Sequence, residues 1–161
     1  MSPHAPSKAR VPAVEGWFVP DDASAALLGG RCRDCGTYSF PRAPLACPNP
    51  ACRSGPAEEV RLSRTGRVWS YTDAAYKPPP PYVASDPFEP FAIAAVELEE
   101  EKLVVLGQVV PGVSASELYV GCEMELVTAT LYEDQTNVYL VWKWKPLDRP
   151  TSTPSGGRAR R

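Results

Sequence analysis

The chain has 161 residues, of which 43% are hydrophobic and 22% are charged, with 17 Lys and Arg against 19 Asp and Glu. It has no apolar run near the roughly 20 residues that span a bilayer and no secretory start, so we expect a cytoplasmic protein without a membrane partner. The only histidine is His4, in a Pro-rich segment, so Ser–His–Asp and Cys–His catalysis are not expected.

Charge is unevenly distributed along the sequence. Six basic residues lie in the two terminal segments: Lys8, Arg10, Arg149, Arg158, Arg160 and Arg161. Without these six, 11 basic residues face 19 acidic ones, a balance of −8 for the folded part. Nucleic-acid binding depends on Lys and Arg side chains that neutralise phosphates, so this balance disfavours a nucleic-acid partner.

The first 30 residues predict a flexible arm followed by a short helical hook. Residues 1–16 contain three prolines and show no periodicity, which is typical of a flexible arm. Asp21 or Asp22 has the position of an N-cap for a brief helix through residues 25–28, ended by the glycine pair 29–30. Such a helix is too short to be stable alone, so we expect it to dock on the cysteine-rich segment that follows it or on a partner subunit.

Four cysteines with the spacing C-x2-C-x11-C-x4-C predict a metal site: Cys32, Cys35, Cys47 and Cys52. The hook and this cysteine-rich segment together form the predicted domain 17–59. Two close cysteine pairs joined by a loop can place four thiolates around a zinc ion. An iron site or a redox disulfide is the alternative role for these cysteines. Gly36 permits the left-handed backbone that turns amides toward the sulfurs. Four protein ligands leave no position for water or substrate, so we expect a structural zinc ribbon.

Five strands are predicted in residues 60–147, in the chain order of an OB-fold barrel. β-formers and apolar runs place them at 67–72, 91–98, 103–110, 124–131 and 137–144. The spacing Ser114-x-x-Glu117 is that of a capping box, which indicates one helical turn between the third and fourth strands. The fold class is therefore mainly β, with a disordered basic tail predicted over residues 148–161.

Isolated cysteine and tryptophan residues in the barrel are interpreted as packing residues. Cys122 is expected to be a small buried hydrophobic residue and not a nucleophile. Trp69, Trp142 and Trp144 are expected to fill the core or the mouth of the barrel in preference to stacking on bases.

Residues 75–90 form a long insertion between the first two barrel strands, with four consecutive prolines at 78–81. Such a run favours a stiff, extended polyproline segment. A long loop that carries aromatic residues is typical of a contact surface, so we expect it to meet a partner or a ligand.

Several of these segments resemble the small acyl-CoA-associated proteins that join a rubredoxin-like zinc ribbon to an OB-fold: 28–36, 40–42, 47–52, 90–98 and 120–126. The resemblance spans about residues 17–146. It implies an accessory subunit of a thiolase-like protein, such as a thiolase, acyltransferase or retro-aldolase acting on steroid or aromatic acyl-CoA side chains. The nucleophilic cysteine would lie on the other chain. This sequence departs from the pattern at Cys122 and in a second cysteine pair two residues longer than usual.

The leading hypothesis is thus a zinc-binding accessory subunit, not catalytic alone, in a complex whose substrate is a coenzyme A thioester. Arginines near the ribbon can meet the phosphates of coenzyme A, and loop aromatics can cover its pantetheine or acyl part. The residues expected to contact acyl-CoA or the partner are Arg64, Tyr76, Lys77, Tyr82 and Phe88. The alternative is a single-stranded nucleic-acid-binding module, since many OB-folds bind such ligands.

Overall fold

A computed structural model describes residues 8–80 and 82–147 of the chain. The strands within these ranges are β1 (Ala9–Pro12), β2 (Phe18–Val19), β3 (Ala26–Arg31), β4 (Tyr38–Ser39), β5 (Glu58–Arg61), β6 (Thr65–Ala74), β7 (Phe91–Leu98), β8 (Val104–Val109), β9 (Glu123–Glu133) and β10 (Asn137–Pro146). One 3-10 turn, Ala115–Glu117, lies between β8 and β9. No helix in this part of the chain is long and apolar enough to cross a membrane.

Strands β6 to β10 form the predicted five-stranded barrel. Their order is β10-β8-β7-β6-β9, and β9 pairs back with β10, so the sheet closes on itself. All these pairings are antiparallel except that of β8 with β10, which is parallel and places Gln108 opposite Lys143. Closure leaves the barrel strands without a continuous free edge, which is how small barrels avoid edge-to-edge pairing.

The barrel core is built from apolar side chains of alternating strand positions. Its largest fully buried members in the barrel are Trp144, Leu98, Met124, Leu126 and Leu140. Cys122 is 1% exposed and belongs to the same cluster, which agrees with its predicted packing role.

Trp69 differs from the other two barrel tryptophans because it is 62% exposed. The pairing of β6 with β7 shifts register between Val68 and Ser70, so Trp69 is the extra residue of a β-bulge. A bulge re-aims the side chain of its extra residue. The prediction that Trp69 packs in the barrel is therefore wrong, whereas Trp144 is buried and Trp142 is half-buried.

The segment predicted as a helical hook is a turn followed by strand β3. The Asp21 carboxylate does act as a cap, since it accepts hydrogen bonds from the Ala23 amide at 3.2 Å and the Ser24 hydroxyl at 2.8 Å. The chain then pairs with β2, β4 and β5 instead of continuing as a helix. These sheet contacts override the weak local helix signal.

The two glycines of β3 also have a different role from the one predicted. A Cβ atom on Gly29 would lie 2.7 Å from the Leu62 side chain, and one on Gly30 would lie 2.7 Å from the Ala57 Cβ. The glycines thus permit close packing of β3 against the chain around β5 and do not end a helix.

Part of the predicted flexible arm forms strand β1. It pairs in parallel with the first half of β10, from Ala9 opposite Asn137 to Pro12 opposite Leu140. Strand β8 reaches only the second half of β10, so this edge is open to β1. The rest of the predicted arm, residues 1–7, and the predicted tail, residues 148–161, lie outside the described residues.

The predicted single turn before β9 is confirmed. The Ser114 amide donates to the Glu117 carboxylate at 2.8 Å. The Ser114 side chain in turn accepts from the backbone amide of Glu117, which completes the capping box. Ala115 and Leu118 are buried, so the turn contributes to the barrel core.

The ribbon and the barrel share one hydrophobic core around the Trp142 ring. Three aromatic rings from the first 40 residues surround it, with centroid distances of 5.6 Å to Phe18, 5.9 Å to Phe40 and 6.2 Å to Trp17. The indole nitrogen of Trp142 donates to the Leu106 carbonyl at 3.1 Å, which fixes the ring. The pairs that Trp142 makes with Phe18 and Phe40 are edge to face, and such pairs add stabilisation beyond burial alone.

Candidate metal centre and contact loop

The four predicted cysteine ligands come together at one end of the ribbon. Their sulfur atoms all lie within 4.8 Å of one another. The Cys35 and Cys47 sulfurs are 3.5 Å apart, and those of Cys32 and Cys52 are 3.9 Å apart. Four sulfurs about 2.3 Å from a central zinc are separated by about 3.8 Å in a regular tetrahedron. The donor set therefore fits zinc, and all four residues are free thiols, not disulfides.

Backbone amides stabilise negative charge on the first cysteine pair. The amides of Cys35 and Asp34 lower the pKa of the Cys32 thiol. The Thr37 hydroxyl, 3.2 Å from the Cys35 sulfur, and the Thr37 amide lower the pKa of Cys35 to about 6. Gly36, at a φ of 75°, supplies the backbone turn that was predicted to make this possible.

The second cysteine pair shows the limit of this stabilisation. The Asn49 amide lowers the pKa of Cys47, but desolvation and the neighbouring thiols outweigh it and raise that pKa to about 12. The pKa of Cys52 is also raised, although the Ser54 amide lowers it. Four adjacent thiolates are thus unfavourable without a compensating cation, and a divalent metal supplies that charge.

The arginines around the ribbon are largely engaged within the protein. Arg33 lies 3.1 Å from the carboxylate of Glu58, and Arg42 lies 3.7 Å from that of Glu59. The guanidinium of Arg31 stacks 5.5 Å from the centroid of the Tyr38 ring.

Arg64 was predicted to contact a ligand or a partner, but its guanidinium forms hydrogen bonds within the protein. Its guanidinium donates to the backbone oxygens of Leu126 at 3.2 Å, Ala23 at 3.2 Å and Asp22 at 3.4 Å. It also lies 3.4 Å from the Glu125 carboxylate. Arg64 therefore ties the turn before β3 to strand β9 of the barrel.

The proline-rich loop has two described parts with different exposure, residues 75–80 and residues 82–90. Its first part carries Tyr76, which is 78% exposed, and the exposed Lys77. Its second part folds back on the barrel: the Tyr82 ring stacks on Phe91 at 6.1 Å, and the Phe88 ring meets Phe91 edge to face at 6.2 Å. The structure thus brings Tyr82 and Phe88 together on one side chain of β7 and leaves Tyr76 and Lys77 at the surface.

A cavity of about 310 Å³ lies beneath the second part of this loop. It is lined by Tyr82 and Phe88 and also by Gln108 and Lys143 from the barrel. Sequence reasoning missed Lys143, which is only 9% exposed. The only sequence signal for Lys143 is its position between two tryptophans in an otherwise apolar strand. The period of the strand does not reveal that the loop covers this lysine.

Comparison with known proteins gives matches to both parts of the chain. The rubredoxin-like zinc ribbon domain of ChsH2 matches residues 24–58, and the C-terminal OB-fold domain of ChsH2 matches residues 59–129. A DUF35 domain-containing scaffold protein of Methanocaldococcus jannaschii is 33% identical over 128 residues, covering 76% of this chain and 82% of that protein. A scaffold protein of the same description from Methanothermobacter thermautotrophicus is 31% identical over 125 residues, covering 74% and 86%.

Among solved structures, a chain of the Ltp2-ChsH2(DUF35) aldolase is similar to this one. The TM-score is 0.54 at 28% sequence identity, and the match covers 75% of this chain and 84% of that chain. Neither the ribbon nor the barrel alone is long enough to account for this coverage. The similarity therefore extends over the joined pair of domains.

Proposed function

Because the chain belongs to the DUF35 family and matches both the rubredoxin-like zinc ribbon and the OB-fold domain of ChsH2, we propose that it is an accessory subunit of a thiolase-like enzyme acting on acyl-CoA. The observation that carries the proposal is the similarity over ribbon and barrel together to a chain of the Ltp2-ChsH2(DUF35) aldolase. The name of that structure pairs a DUF35 protein with a second protein, Ltp2, in an aldolase.

In this proposal the metal is zinc and its role is structural. Cys32, Cys35, Cys47 and Cys52 hold it, and a site closed by four thiolates has no open position for substrate. When bound, zinc contributes folding free energy on the order of 10 kcal/mol, in place of a core that the ribbon segment is too small to build alone.

The partner subunit supplies the reacting cysteine. Cys122 is buried in the barrel core and is assigned to packing, so this chain offers binding surface and not a nucleophile. Tyr76 and Lys77 on the exposed first part of the loop are the proposed contacts with the partner or with coenzyme A. An ammonium such as that of Lys77 binds a phosphate by charge-assisted hydrogen bonds.

Co-expression with a thiolase-like protein encoded beside this chain tests the proposal. We expect a stable complex on size-exclusion chromatography with light scattering, and turnover of aromatic or steroid acyl-CoA that depends on both chains. Tyr76→Ala combined with Lys77→Ala should weaken the complex or raise the KM for acyl-CoA, whereas Lys145→Ala at an exposed position of β10 should not. Thioester turnover by the isolated chain, or absence of any complex, would refute the assignment.

A further inference from the structure

We propose that the cavity beneath residues 82–90 is a binding site for a carboxylate attached to an apolar group, with Lys143 supplying the positive charge. The proposed function uses Tyr76 and Lys77 as contacts, whereas this cavity lies beneath Tyr82 and Phe88, which the sequence predicted to contact acyl-CoA or the partner. It also does not depend on the identity of the partner subunit.

Lys143 is the first reason for the assignment. It lies on β10 opposite Gln108 of β8 and Val127 of β9, and it is 9% exposed. Within residues 8–80 and 82–147 its ammonium has neither a hydrogen bond nor an ion pair. Lysines buried to this degree are ordinarily paired, because desolvation disfavours the charged form. Desolvation accordingly lowers the pKa of Lys143. A ligand anion in the cavity would supply the missing counter-charge.

A second donor is positioned at the same cavity. The Gln108 amide nitrogen donates to the Tyr82 hydroxyl oxygen at 2.9 Å. Because that oxygen already accepts a hydrogen bond, the hydroxyl proton of Tyr82 remains free to donate to a ligand. The Tyr82 ring is held by stacking on Phe91, so the hydroxyl is fixed before a ligand arrives.

Most of the other lining residues have apolar side chains, and they favour a ligand that carries an apolar group. The cavity volume of about 310 Å³ is near the lower end for small-molecule sites, about 300 to 1,000 Å³. Phosphate sites usually offer arginine forks or several backbone amides. The lining of this cavity contains no arginine, and its one cationic side chain is Lys143, beside the hydroxyls of Tyr82 and Ser85. Glu89, an exposed residue at the same cavity, further disfavours a dianion. The apolar walls come from Phe88, Phe91, Val109, Val113 and Leu131.

The test uses the full-length, zinc-loaded protein and 3-phenylpropionate as the probe, with 3-phenylpropanamide as its uncharged match. Isothermal titration should show the acid binding about tenfold or more tightly than the amide. Lys143→Met should abolish this difference, and Lys145→Met, two residues further along the same strand and exposed, should preserve it. Tyr82→Phe keeps the stacked ring but removes the hydroxyl, so it should weaken acid binding severalfold and tests the site independently of Lys143.

A second arm of the titration distinguishes a free acid from the end of a protein chain. A tetrapeptide with a C-terminal phenylalanine is compared with its amidated form. Tighter binding of the free-acid peptide than of 3-phenylpropionate assigns the carboxylate to a protein terminus, and the reverse order assigns it to a small organic acid. The site is refuted if neither acid binds, if acid and amide bind equally, or if inorganic phosphate displaces the probes at lower concentration.

Discussion

Phe18 of β2 and Trp142 of β10 meet edge to face, with ring centroids 5.6 Å apart and an angle of 67° between the ring planes. Phe18 is only 3% exposed, so this contact is part of the core and not of the surface. This contact connects two parts of the chain: the segment before the cysteine ribbon, and the last strand of the barrel. We therefore expect the two parts to unfold together.

Phe18→Ala should show this coupling most clearly. Removal of a buried phenylalanine ring typically costs about 3 to 5 kcal/mol. Urea unfolding followed by tryptophan fluorescence and by metal release should show a lower midpoint for both signals. Trp69→Ala, at an exposed bulge, should change stability by less than about 0.5 kcal/mol. Two separate transitions in the parent protein would contradict a shared core.

Cys47→Ser should remove the metal and unfold the ribbon. Only a thiolate completes the four-sulfur donor set, so elemental analysis should detect about one zinc per chain in the parent protein and little in the variant. Cys122→Ala is the matched control, because Cys122 lies in the barrel core away from the cluster. That variant should retain its zinc and lose about 1 kcal/mol of stability. Equal zinc content in Cys47→Ser would exclude Cys47 as a ligand.

Asp134 in the turn between β9 and β10 should make stability depend on pH. Amides of Asn137 and Thr136, each 2.7 Å from its carboxylate, and the Tyr139 hydroxyl at 3.0 Å lower its pKa to about 2. Since the ordinary value is 3.8, this stabilisation is complete above pH 3.8 and is lost as the pH falls toward about 2. Asp134→Asn should lower the Tm at neutral pH.

The Tm difference between the parent protein and Asp134→Asn should shrink over that same acidic range. Asp73→Asn serves as the control, because Asp73 is exposed and makes no side-chain hydrogen bond among the described residues. A Tm difference that stays constant from pH 7 to about 2 would show that the charge of Asp134 plays no part.

Lys143→Met should stabilise the unliganded protein. The substitution replaces a desolvated, unpaired ammonium by an apolar side chain of similar length and so removes the cost of burying that charge. We expect a gain of about 1 kcal/mol, within the usual range of single stabilising substitutions. Lys145→Met at an exposed position should have an effect within about 0.5 kcal/mol. The measurement is the Tm of the parent protein, Lys143→Met and Lys145→Met, determined under the same conditions. Destabilisation by Lys143→Met alone would indicate that Lys143 has a partner within the folded chain.

The features that the sequence predicted correctly are those with a local signal. The cluster of four cysteines, the Ser114 to Glu117 capping box and the five barrel strands each depend on spacing or composition within a short segment. The barrel strands are rich in β-formers, so local preference and tertiary pairing agree there.

The features that the sequence did not predict depend on distant parts of the chain. Strand β1 has only four residues, and its partner on β10 lies more than 100 residues away. Asp21 does cap a turn, but pairing with three other strands makes the next segment a strand and not a helix. Short segments of this kind adopt the conformation that their neighbours impose.

The same limit applies to the candidate sites. Arg64 looks like a free cation in the sequence, yet three of its bonds reach backbone oxygens of residues 22, 23 and 126. Lys143 looks like an ordinary strand lysine until the loop at 82–90 covers it. Residue type shows what a side chain can do, but only its neighbours show whether its donors are already satisfied.

Strand β1 has a practical consequence for handling the protein. A chain shortened to begin at the zinc ribbon would lose the backbone partners of residues 137–140 on β10. Such an uncovered strand edge is a template for pairing with another molecule, so truncation is expected to promote aggregation. Recombinant versions should therefore keep residues 8–12.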